Sequence, residues 1–101
     1  MIELKEYKTS FDMLDKISVR DLMRWNSILG STVLREDGTR ILKLWDTAVQ
    51  MGFITAWKSE LMPDYKTPLE DIYDPKVAEL IMDVTMTITK HIHDMQALEK
   101  N

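Results

Sequence analysis

The stretch Thr39-Arg40-Ile41-Leu42-Lys43-Leu44-Trp45-Asp46-Thr47-Ala48-Val49-Gln50-Met51-Gly52-Phe53-Ile54-Thr55-Ala56-Trp57-Lys58-Ser59-Glu60-Leu61 carries its apolar side chains at helical spacing. Ile41, Leu42, Trp45, Ala48, Val49 and Gly52 fall on one face at steps of three and four. Thr39 can cap this helix. Gly52 either ends it or lets another backbone approach closely. Phe53, Ile54, Trp57 and Leu61 continue the spacing, so a second helix, bent from the first, is expected to run to about Leu61. Read this way, residues 1–101 form a single, mainly all-α domain: four to five helices, the C-terminal one long, with a possible short N-terminal strand or hairpin.

Toward the N-terminus, residues 2–8 begin with the alternating Ile2 and Leu4, which suits a short edge strand or an extended arm. Thr9 or Ser10 can cap a short helix carrying Phe11, Met13, Leu14 and Ile17. Ser18 is a stronger start. Its hydroxyl can accept from first-turn amides, and Asp21 stands three residues on, a variant of the capping box. Val19, Leu22, Met23 and Trp25 lead from there to Ile28 and Leu29, and Gly30 supplies a stop. Residues 30–39 read as a loop with a turn at Glu36-Asp37-Gly38; Val33 and Leu34 could pair with residues 2–8.

Toward the C-terminus, Pro63 breaks the helical pattern. Thr67-Pro68-Leu69-Glu70 has a capping Thr, a Pro at the first helical position and a Glu at the third. It opens only a short turn, because Asp74-Pro75 starts again. The helix that follows extends from 75 to about 99. Ile81, Ile88 and Met95 share one heptad position and Val77, Val84, His91 and Leu98 the other, with Leu80 and Ile92 flanking the seam. Met82, Met86, Thr89 and His93 make a second stripe on the far side. Between Leu80 and Thr89 the only charge is Asp83, whereas an ordinary surface helix has a charged back. Either the helix is packed on both sides by its own domain, or the Met/Thr face meets another chain. Unbranched Met side chains adapt to irregular surfaces.

The 101 residues are 45% hydrophobic, enough for one core, with 3 Gly, 3 Pro and no Cys. Disulfides and cysteine-based zinc sites are excluded, and a reducing, cytoplasmic setting fits. No apolar run approaches the roughly 18 residues of a bilayer span. Net charge is −4, and all of the excess lies in residues 51–101, which hold 5 basic and 9 acidic side chains. Glu60, Asp64, Glu70, Asp71 and Asp74 supply much of it. Binding a phosphate backbone needs the opposite sign, so no nucleic-acid partner is expected.

Catalytic and cofactor chemistry finds little support. His91 and His93 are the only histidines, and two positions apart on a helix they point about 200° apart, so they cannot chelate one metal ion. There is no Cys nucleophile, no Ser in a Gly-x-Ser-x-Gly setting, and no phosphate-binding glycine loop. Glu70 and Asp71 sit where capping and the helix dipole explain them. No enzyme activity and no cofactor are expected. Trp25, Trp45 and Trp57 each fall on the apolar face of an expected helix; Trp57, near the acidic segment, is the best candidate for an interface residue.

The order of these features resembles that of small tail assembly chaperones of long-tailed bacteriophages. The resemblance is carried by Ser18-Val19-Arg20-Asp21-Leu22-Met23-Arg24-Trp25, by Gly52-Phe53-Ile54-Thr55-Ala56-Trp57, and by the acidic turn Thr67–Pro75 leading into a long last helix. It covers roughly residues 18–92. It implies a helical, self-associating protein that coats the tape-measure protein while the tail tube polymerises, and it transfers no site residues. The residues themselves point to a protein partner through Met82, Met86, Thr89 and His93, with Trp57, Glu70 and Asp71 nearby. A structural or connector subunit of a virion or other assembly, and an inhibitor of a host or defence protein acting through the acidic segment, are the other two readings.

Overall fold

The computed structural model describes residues 1–31 and 39–99. Among them are a three-stranded antiparallel sheet and three α-helices. The all-α expectation is therefore corrected to a mixed α/β domain. The strands are β1 (Ile2–Leu4), β2 (Thr9–Met13) and β3 (Ile54–Ser59), in the order β1-β2-β3. The helices are α1 (Val19–Ser31), α2 (Thr39–Gln50) and α3 (Pro75–Glu99). The expected turn at Glu36-Asp37-Gly38, the pairing of Val33 and Leu34, the capping by Thr39 and the side chain of Leu98 lie outside the described residues.

Gly52 explains why the helix over 39–61 stops early. It sits at φ +72°, in the left-handed region, and space is open where a Cβ would be. Its role is thus the backbone angle and not close approach of another chain segment. The Gly52 N–H donates to the Val49 carbonyl at 3.2 Å and the Phe53 N–H to the Ala48 carbonyl at 3.0 Å. These two bonds form a Schellman stop, and the buried Phe53 and Ala48 supply its apolar partner.

Beyond that stop the chain is strand, not helix. Thr9 pairs with Ser59, Phe11 with Trp57 and Met13 with Ile54, and a bulge between Asp12 and Met13 leaves Thr55 as the extra residue on β3. Strand side chains alternate faces, so one inserted residue swaps the inward parity. Trp57 and Ser59 share the face of Phe11 and Thr9, yet Ile54 has joined it at a spacing of three. The bulge thereby imitates a helical step in the sequence.

The segment expected as a short helix after Thr9 is β2. Phe11 is fully buried there, and Thr9 Oγ1 lies 2.7 Å from Ser59 Oγ across the strands. β1 pairs with β2 through Ile2↔Phe11 and Leu4↔Thr9, so residues 2–4 are an edge strand. A 3-10 turn at Lys5–Tyr7 connects them, ending on Lys8 at φ 51°.

The helix starts follow the expected chemistry. Ser18 Oγ accepts from the Asp21 N–H at 3.1 Å, and Asp74 Oδ1 from the Lys76 N–H at 3.0 Å. α1 continues one residue past Gly30. Thr67 does not cap the 3-10 turn at Leu69–Asp71; its hydroxyl donates back to the Asp64 carbonyl at 2.8 Å.

One core joins the layers. α3 contributes Val77, Leu80, Ile81, Val84, Ile88 and Ile92, the stripe that three-and-four spacing demands. Phe11 from the sheet, Trp25 from α1, and Leu44, Trp45 and Ala48 from α2 close over it. Trp25 meets Phe53 with ring centroids 5.3 Å apart. Two polar tethers fix the sheet side to α3: the Tyr7 phenol donates to Asp83 Oδ2 at 2.8 Å, and His91 Nε2 lies 2.8 Å from the Leu14 carbonyl. Among the described residues no helix is long and apolar enough to cross a membrane.

Candidate functional site: the uncovered side of the long helix

The stripe of α3 opposite its core is only partly covered. Met82 and Met86 are 49% and 60% exposed, so the domain does not pack both sides of this helix. The next residue of the stripe, Thr89, is half-buried, and His93 is exposed. The helical spacing read from the sequence puts these four along one line, and the structure keeps them there.

Two adjoining clefts flank that line and meet at Ile41 of α2. The first, about 530 Å3, opens between α1, α2 and α3. Its walls are Trp25, Leu29, Ile41, Leu44, Met86 and Ile92, with Thr85, Thr89, Lys90 and His93 supplied by α3. The second, about 380 Å3, runs toward the start of α3 between Leu42, Ile72, Tyr73, Val77, Ile81 and Met82. Together they make an apolar trough that follows α3 over most of its length. Of its margin, Leu42 is 49% and Tyr73 88% exposed.

Thr85 is the unusual polar group in this trough. It is buried, and among the described residues its Oγ1 has no hydrogen-bond partner. Neighbouring threonines on the same helix behave otherwise. Thr87 Oγ1 donates to the Asp83 carbonyl and Thr89 Oγ1 to the Thr85 carbonyl, each at 2.8 Å. A buried hydroxyl left unpaired costs about 1–3 kcal/mol.

The other sequence-derived candidates separate. Trp57 is on β3, not on a helix face. It is half-buried between Phe11, Trp45 and Tyr65, with ring centroids 5.9, 6.3 and 5.6 Å away. Its indole N–H donates to the Met62 carbonyl at 2.6 Å. Phe11 and Trp45 belong to the core, so this tryptophan holds the sheet to α2 and to the loop after β3. Glu70 and Asp71 are exposed in the 3-10 turn before α3. Burial, and then the negative charge of Glu70, push the Asp46 carboxyl above its usual range. The acidic turn therefore leans electrostatically on α2.

The two histidines diverge as helix geometry requires. His91 reaches Leu14 on the sheet side, while His93 stands at the rim of the larger cleft. Among the described residues no three His, Cys, Asp or Glu side chains gather into a metal-binding group.

Tyr73, Thr85 and Lys90 line the trough but are not among the sequence-derived candidates. The helical spacing puts Leu42 on the core face of α2, whereas in the structure it is 49% exposed at the margin of the trough. Tyr73 did carry a signal: an aromatic residue beside Asp74-Pro75, at the end of a strongly acidic segment.

What the site offers is an elongated apolar surface with adaptable Met side chains and a scatter of hydroxyls and charges. Compared with protein-family models, with curated proteins and with solved structures, the chain matches none.

Proposed function

We propose that this protein is a non-catalytic binding factor that holds an apolar helical segment of another protein along α3. The observation that carries this reading is the exposure of Met82 and Met86 between two open apolar clefts. A helix laid in such a trough buries its own apolar side chains at steps of three and four, the recognition mode that grooves on helical surfaces serve. Flexible Met side chains suit a client whose sequence varies along its length. The acidic second half keeps a protein with so much exposed apolar surface in solution.

The biological setting we propose is assembly of a long phage tail, with the tape-measure protein as the client. It is supported by the sequence resemblance described above, and the trough is compatible with it. The test is capture of a long, Ala-rich helical segment of a tape-measure protein. Changing both Met82 and Met86 to Glu should abolish capture and leave the circular dichroism spectrum unchanged, because both side chains are substantially exposed. Recovery of the protein as a component of finished particles, without client capture, would favour a structural subunit instead.

A further inference from the structure

We propose that the smaller cleft, at the start of α3, takes a bulky apolar side chain of the client segment, and that an Arg or Lys one helical turn from it is held by the carboxylates of Asp46 and Glu70. The proposal rests on the protein-binding reading of the trough and adds to it the chemistry of the client.

The cleft selects the apolar anchor. Its volume is about 380 Å3, within the range of roughly 300–1,000 Å3 in which pockets hold ligands. Leu42, Ile72, Val77, Ile81 and Met82 line it, and among the described residues Asp74 is the one charged group in its walls. Tyr73 is its outer lip, with a ring that the domain leaves uncovered.

Charge selects the anchor's neighbour. Leu42 and Leu69 also line a second hollow, about 260 Å3, whose walls include Asp46 and Glu70. The two openings therefore share a wall. Asp46, Glu70, Asp71 and Asp74 are exposed at this end of the domain, and among the described residues none of them forms an ion pair. Burial, and then the charge of Glu70, raise the Asp46 carboxyl. The two carboxylates are thus close enough to repel, and a cation between them relieves that repulsion. The basic groups nearby do not cancel the charge. Lys66 lines the same hollow, with its Nζ 5.8 Å from the Tyr65 ring centroid. Lys43 is exposed on α2. Lys76 lines a separate hollow with Glu6 and Glu60. Lys43 and Lys66 against four carboxylates leave this end negative.

Helical spacing joins the two requirements. Residues three or four apart on a client helix lie on one face, about 5.4 Å apart along its axis. With the anchor in the cleft, an Arg or Lys one turn away lays its apolar stem over the Leu42–Leu69 wall and brings its charge to Asp46 and Glu70.

Fluorescence anisotropy with two labelled, Ala-based helical peptides of about 20 residues tests this. Both carry a Leu stripe at steps of three and four with one central Phe. One has Arg four positions before and after the Phe, and the other has Gln there. Wild type is expected to bind the Arg peptide about ten-fold or more tightly, and the preference should shrink as salt rises. The Asp46→Asn, Glu70→Gln double variant should lose the preference and still bind the Gln peptide as wild type does, which also shows that it is folded. The Glu3→Gln, Glu79→Gln variant makes the same change of net charge away from the hollow and should keep the preference. Equal affinity of wild type for the two peptides would overturn the proposal and leave the trough reading standing. A preference that survives in the Asp46/Glu70 variant, or disappears in the Glu3/Glu79 variant, would also refute it. Wild type that binds neither peptide would overturn both readings.

Discussion

Tyr7 and Asp83 tie the N-terminal sheet to the middle of α3: the phenol donates to the carboxylate at 2.8 Å across 76 positions of sequence. This bond, then burial and the charge of Asp83, raise the Tyr7 pKa from 10.0 to about 12. A group whose pKa is higher in the folded state lends stability that is complete below its unfolded pKa and is lost as pH rises through the folded one. The contribution of Tyr7 is therefore full below pH 10 and fades toward pH 12. Comparing melting curves of wild type and Tyr7→Phe removes the titration of other groups. The difference in Tm should be largest at neutral pH and shrink across that alkaline window.

Asp46 carries the opposite sign. Its carboxyl is raised above 3.8 by burial and by Glu70, so its ionised form is disfavoured in the folded chain. A carboxylate with a raised folded pKa opposes folding at neutral pH, and that penalty disappears once acid protonates it in both states. Asp46→Asn should accordingly raise Tm at pH 7, and the gain should vanish as pH falls below 3.8. An unchanged gain at acid pH would assign the effect to something other than charge.

Gly52 tests the account of how α2 ends. With φ at +72° and open space around its missing Cβ, the cost of a side chain there is one of backbone angle alone. Gly52→Ala should destabilise by about 1–2 kcal/mol, and Gly52→Asn by less, since Asn tolerates the left-handed region better. Equal losses from both would mean that the backbone angle is not what the glycine supplies. Chemical denaturation of the three proteins decides this.

The same residue shows what the sequence could and could not disclose. The caps at Ser18 and Asp74 were legible, because their chemistry is local and each side-chain oxygen meets the next turn's amides. α3 was legible with its core stripe, since its three-and-four spacing persists over so many turns. The strand at 54–59 was not. Its bulge at Thr55 sets Ile54 and Trp57 three apart on one face, the spacing that also marks a helix. β2 was hidden for a different reason. Only five residues long, it is defined by partners in β1 and in a segment more than forty positions away, and no local signal encodes that pairing. Of the candidate site, the Met82–Met86 line was readable from one helix. The clefts beside it were not, because α1 and α2 build their other walls.

Thr85 provides a prediction about the stability of the core. Replacing its unpaired buried hydroxyl with the isosteric methyl of Val should stabilise the isolated chain by about 1 kcal/mol, a rise in Tm of roughly 4–8 °C for a domain of this size. Loss of stability in Thr85→Val would indicate that the hydroxyl serves the fold.

The most direct test of the central claim is affinity capture of a tape-measure segment, wild type against the Met82→Glu, Met86→Glu double variant, with folding of both checked by circular dichroism. Binding along the uncovered side of α3 predicts that wild type holds the segment and the equally folded variant releases it. A variant that folds and still holds the segment as tightly as wild type would contradict that assignment.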